Sequence, residues 1–382
     1  MRKGKIYFRA FVFICAVTVL SVCLSLSTYG ASELPEGFFE LTDGIPEELL
    51  GYLPDGMLSD DGEAVGDALT ELTDSRNIFA VLSDILKKEA MSSLLLFARL
   101  CGLLILSAVF NALMRSVSVD SLSGAVSFCA TTAIFSSMIY MQREHLEAVG
   151  LFFDRLTALM TVMVPITGTV WAMGGNVGTA SVGTSALYVF INACEGMCAK
   201  SVVPICCTFT ALALCNTLAP EMGLRGLSGA LRKIYTFFLG MIMTVLIASL
   251  SAQTTLTAAA DSTAARAARL VSVNIIPVVG GSVGDTLRTV ATGVQYLKSV
   301  VGTFGIALVV LLLLPVLISL IMTRLAFLLS SGVADMLGCA TEGKLLNELG
   351  GVYAIMIAVV SMSSVMFIFA LTIFSKTVVA VM

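Results

Sequence analysis

Long apolar runs alternate with short polar stretches along most of this chain, and the runs have the length a bilayer demands. A helix of about 20 apolar residues crosses the hydrocarbon core. Runs at 92–114, 122–141, 156–172, 184–199, 202–218, 234–256, 301–322 and 352–374 qualify, so eight is the upper count of spans. The third contains Pro165 and Gly168, and the fourth and fifth are short, which predicts one or two re-entrant segments. Inside lipid the backbone must satisfy its own hydrogen bonds, so such runs are helices and not open sheet. The predicted fold is all-α: a polytopic transmembrane bundle of about seven to eight spans, some broken or re-entrant.

The polar stretches between the runs differ in kind. Residues 142–155 carry Arg143, Glu144, His145, Glu147, Asp154 and Arg155; 221–233 carry Glu221, Arg225, Arg232 and Lys233. Residues 257–299 are long and Ala-rich, with Asp261, Arg266, Arg269, Asp285, Arg288 and Lys298. These three read as amphipathic connections, the last as helices along the interface or folded into the bundle.

At the amino terminus, residues 1–31 read as a secretory signal peptide: four bases, no acid, and an apolar run from Ala10 to Leu26. Cleavage after Ser27 puts Ser25 at the −3 position, whereas cleavage after Ala31 puts bulky Tyr29 there; an uncleaved first helix is the alternative. Residues 32–89 form an acidic extracytoplasmic segment with 15 acids against three bases, broken by Pro35, Pro46 and Pro54. From about Asp67 the residues Leu69, Leu72, Phe79, Leu82, Ile85 and Leu86 recur at helical spacing. Residues 90–382 are the transmembrane domain. Val164-Pro165-Ile166-Thr167-Gly168 echoes Ile276-Pro277-Val278-Val279-Gly280 at an offset of 112, which admits either an internal duplication of about 120–232 onto 233–345 or a coincidence among the prolines of the membrane region. Repeated halves with broken helices are common in transporters.

Composition supports this division. Apolar residues make up 57% of the 382 and charged ones only 13%, about half the share of a soluble domain. Soluble enzymes and nucleic-acid binders are excluded. The net charge of −4 sums a basic start, an acidic segment of net −12 and a transmembrane domain of net +4. Orientation is readable for the first span only, which the chain enters from the extracytoplasmic side.

The motifs that resemble chemical sites each lack an essential part. Asp60-Asp61-Gly62 fails as a calcium loop, because Ala68 falls at the closing acidic position. Gly338-Cys339-Ala340-Thr341-Glu342-Gly343-Lys344 matches phosphate-loop spacing, but Leu345 stands where magnesium needs a hydroxyl; a polar turn between helices fits better. Gly280-Gly281-Ser282-Val283-Gly284 matches the nucleophile-elbow pattern without its strand or a nearby base. Gly280 and Gly284 read instead as a close helix contact. Cys194, Cys198, Cys206 and Cys207 invite a soft-metal reading, but small packing residues explain them better. No catalytic residue, metal or cofactor is expected.

The remaining pointers are polar groups inside apolar runs, which are costly unless paired or wetted. Glu195, Asn192, Asn216 and Arg99 are the candidate polar pathway, with Arg99 a partner for Glu195. Lys200, five residues on, leaves open that Glu195 lies shallow. Pro165, Gly168, Pro277 and Gly280 are the candidate helix breaks. Trp171, Met173, Gly174, Gly175, Asn176, Gly178, Ser181 and Gly183 form an uncharged stretch that reads equally as a channel lining or an exposed loop.

The order of signal, acidic segment and polytopic region, with Asn274-Ile275-Ile276-Pro277-Val278-Val279-Gly280-Gly281 leading to Asp285 and the Met163–Gly168 stretch, resembles the stage III sporulation protein AE family. That resemblance implies a multi-pass protein of the mother-cell membrane around the forespore. It also implies a non-enzymatic place in a transenvelope channel or secretion complex, with other membrane proteins of that complex as partners and a homo-oligomer admitted. The alternative is a stand-alone secondary transporter of a small solute. An intramembrane hydrolase using Ser282 is a distant third reading.

Overall fold

The computed structural model describes residues 75–116, 120–219, 225–275 and 280–376. The stretch read as a signal peptide, most of residues 32–89 and Pro277 lie outside them. Among the described residues the chain forms α1 (Ser75–Ser116), α2 (Asp120–Met173), α3 (Val177–Cys194), a π-helical turn (Glu195–Ala199), α4 (Lys200–Leu218), α5 (Arg225–Ile275), α6 (Gly280–Met336) and α7 (Ala340–Lys376). The described chain is an all-α polytopic bundle.

Six stretches are long and apolar enough to cross a membrane: Ser83–Leu113, Phe128–Met173, Val177–Leu218, Gly226–Leu256, Val301–Met336 and Ala340–Ser375. Eight candidate runs become six because two pairs fuse. The stretch 142–155 is not a connection: it continues α2 from one apolar run into the next. Its sequence contains no proline, and Arg143 and Glu147 pair across one turn at 2.8 Å, so charge without a breaker leaves the helix intact. Runs 184–199 and 202–218 are likewise joined, through the π-helical turn.

Pro165 also fails to break its helix, since α2 passes through Pro165 and Gly168 and ends at Met173. Membrane helices tolerate proline, which removes only the one backbone bond to Thr161 O, and just beyond it Thr167 and Thr169 hydrogen-bond backward to Val164 O and Ile166 O. The turn comes later, at Gly174–Asn176, with Gly175 at φ 76°. This corrects the reading of 171–183 as an exposed loop. Trp171 and Asn176 are buried, and α3 starts at Val177. Toward the amino terminus, the helix foreseen before the first span is continuous with it from Ser75, so the boundary drawn at 89/90 falls inside α1.

α7 is the centre of the bundle. Of its apolar window 67% is buried, against 17% for α5. α6 packs along it as an antiparallel hairpin, and α2, α4 and α5 surround the pair. Small residues allow close approach, as is usual between membrane helices. A Cβ on Gly305 would lie 2.6 Å from Met163 Cε and 3.1 Å from Leu371, and one on Gly183 would run into the Trp171 ring. Lipid tails are as apolar as leucine, so this fit, more than water exclusion, holds the helices together.

Candidate functional site

Between its apolar ends the bundle carries a layer of polar side chains drawn from five helices. α2 contributes Gln142 and His145, and α4 contributes Thr210. Arg232 comes from α5, Ser319 and Thr323 from α6, and Glu348 and Tyr353 from α7. None has its partner close in sequence, apart from bonds to the preceding helical turn. Buried Gln142 donates from Nε2 to Thr210 Oγ1, and the Thr210 hydroxyl donates on to Cys206 O at 2.8 Å. Each polar atom withdrawn from water in this layer needs such a partner.

His145 is held from three helices. Nδ1 lies 2.9 Å from Met141 O on its own helix, and Nε2 lies 3.3 Å from Ser319 Oγ and 3.2 Å from Thr323 Oγ1. Tyr353 places its hydroxyl 3.3 Å from Nδ1 and its ring edge-on to the imidazole, at 5.4 Å between centroids. Phe327 packs edge-on to Tyr353 in turn.

Arg232 ties α5 to α7. Its Nη2 is 3.3 Å from Glu348 Oε2, and its guanidinium lies over the Phe209 ring at 5.5 Å. The pair is three-quarters buried, with 26% and 25% of the side chains exposed. The guanidinium also rests against Gly351, where a Cβ would collide with Nη1. Gly351→Ala is therefore expected to push Arg232 off Glu348 and expose α5 locally, measured as faster alkylation of a cysteine placed at buried Ser228, one turn before Arg232 on α5. Unchanged alkylation would mean that the guanidinium shifts without releasing the carboxylate.

A second buried contact closes the α6–α7 turn. Ser107 Oγ donates to Glu342 Oε1 at 2.9 Å, and Cys339 lies against Leu104 O. Gly338 turns the chain at φ 74°, a conformation that favours glycine. The phosphate-loop-like stretch is thus a helix–helix turn, as its missing hydroxyl indicated. Ser282 lies in regular α6 helix, about 55 Å along the helix axis from the Ser319 that meets the histidine. The elbow reading therefore fails for lack of both turn and base. Just ahead of the apolar part of α6, burial pushes the Lys298 ammonium down to about 8.

The described pathway side chains Arg99, Asn192 and Asn216 come from three different helices. Arg99 is exposed on α1 and Asn192 on α3, where Asn192 donates to Tyr188 O at 2.8 Å. Asn216 is buried on α4, with no partner for Nδ2 among the described residues. Glu195 opens the π-helical turn, and its side chain lies outside the described side chains, as do those near Gly280, the first residue of α6. The free cysteines Cys194, Cys198 and Cys206 are buried in the packing. Among the described residues no three His, Cys, Asp or Glu side chains gather as a metal would need.

Sequence reasoning missed the polar layer because its members looked ordinary alone. His145 stood among charges, and Ser319 and Thr323 sat unremarked in an apolar run. One signal was legible: their i, i+4 spacing puts both hydroxyls on one helix face.

Comparison with known proteins decides the family. The stage III sporulation protein AE model matches residues 68–377, which takes in every described helix. The chain belongs to the stage III sporulation protein AE family. The stage III sporulation protein AE of Bacillus subtilis (strain 168) is 20% identical over 279 residues, covering 72% of this chain and 70% of that protein. No solved structure matches. Family and structure together describe a multi-pass membrane protein of a sporulation-associated family.

Proposed function

We propose that this chain is an integral membrane component of a sporulation-specific transenvelope channel or secretion complex between mother cell and forespore, needed for forespore development. The observation that carries the reading is the family match across 68–377. The bundle would sit in the mother-cell membrane around the forespore, forming or bracing a conduit. Its acidic segment would meet other membrane proteins of the complex in the space between the membranes. The polar layer suits this role, since hydrogen-bonding groups from five helices fix one arrangement of a bundle that lipid alone would leave free to slide.

Affinity-tagged protein from sporulating cells should bring down a defined set of membrane partners, and deletion of 32–89 should lose most of them. Retention of the full set would remove the acidic segment from the interface. A stand-alone secondary transporter is the second reading, favoured by the π-helical turn Glu195–Ala199, a feature frequent at functional sites. That reading expects solute uptake by the purified chain alone in liposomes, abolished by Glu195→Gln.

A further inference from the structure

We propose that His145 is a proton-binding site at the crossing of α2, α6 and α7, able to hold its ring neutral or protonated without losing a hydrogen bond. The assignment rests on donor and acceptor geometry and is independent of the channel reading. A backbone carbonyl can only accept, so the 2.9 Å contact to Met141 O places a hydrogen on Nδ1. The neutral ring then has an acceptor lone pair at Nε2, which faces two hydroxyls, Ser319 and Thr323. Either can donate to it. Tyr353, near Nδ1, can only accept from the same N–H and turns its own proton elsewhere.

Protonation puts a second hydrogen on Nε2. The same hydroxyls then accept it, because a helical Ser or Thr can swing its proton to the carbonyl one turn back. No heavy atom has to move. The site therefore exchanges a proton by rotating hydroxyls, whereas most buried histidines would be left with an unsatisfied atom in one of the two states.

Charged and titratable groups face the ring from the helices packed around it. Glu89 of α1 and Glu144 of α2 act on the imidazole through space. On α7 the titratable neighbour is Tyr353, on which Glu144 and Cys206 of α4 act. On α6, Arg324 follows Thr323, and the Arg232–Glu348 pair lies about one turn from Tyr353. An imidazole is one of the few side chains whose charge changes near neutral pH.

The chain has one histidine, so the test needs no assignment. Full-length protein labelled with nitrogen-15 histidine, in lipid nanodiscs, is followed by NMR from about pH 4 to 9, the range in which imidazoles titrate. The expected alkaline form is the Nδ1–H tautomer, giving way to imidazolium in a single step. Thr323→Val with Ser319→Ala is expected to move that midpoint by about one unit to lower pH, because the hydrogen bond lost by the charged ring is stronger than the one lost by the neutral ring. Thr323→Ser, which keeps the hydroxyl, should leave it in place. An Nε2–H tautomer, an absence of titration across the range, or a midpoint indifferent to both hydroxyls would each overturn the assignment. The wild-type titration stands by itself if the double variant does not fold.

Discussion

Glu348→Gln is expected to destabilise the bundle by about 3 kcal/mol, the lower end for breaking a buried ion pair. The carboxylate at 3.3 Å is the one counter-charge shown for Arg232. Removing it leaves a guanidinium over Phe209, and Arg232 Nε already has no partner among the described residues. Arg232→Met should do comparable damage by stranding Glu348. The double variant Arg232→Met, Glu348→Met should be more stable than either single one, because hydrophobic replacement of a whole pair is often neutral. Unfolding in mixed micelles, followed by circular dichroism, measures the cycle. Strictly additive losses would show that the two residues do not act as a pair.

Trp171→Ala should be worse still, at about 3–5 kcal/mol, the range for deleting a fully buried large aromatic. Trp171 is 1% exposed, packs edge-on to Phe374 at 5.4 Å, and covers Gly183, whose missing side chain makes room for the indole. The two positions are complementary, which gives a sharper test than either loss. Gly183→Leu in the wild-type background should overpack the site and cost about 1–3 kcal/mol. In the Trp171→Ala background the same leucine enters the vacated space and should recover part of the loss. Independent effects would mean that α2 and α3 relax apart instead of sharing one cavity.

Both predictions sit on contacts between distant segments, and there the limits of the sequence show. The apolar runs announced a helical membrane bundle, because bilayer thickness sets run length directly. Where helices stopped was harder to read. Charge at 142–155 and Pro165 looked like interruptions, yet a helix ends only when its backbone finds better partners elsewhere. Gly174 and Gly175 supply that, with Gly175 left-handed, while Arg143 and Glu147 stabilise the helix they were read as interrupting.

The candidate polar residues were chosen for standing alone in apolar surroundings, which finds isolated anomalies such as Asn216 and misses groups that become significant together. Ser107 and Glu342 are 235 residues apart, and His145 meets Thr323 across 178. No local pattern records such a meeting. By itself the sequence determined the solvent this chain folds in, its helical class, its acidic leading segment and the resemblance that its family membership confirms. All of these follow from residue type and spacing along one dimension. Only the tertiary structure decided which polar groups face one another. Helix rotation and crossing are set by side-chain fit between segments, and from that fit come the His145 site, the Arg232–Glu348 tie and the seat of Trp171 over Gly183.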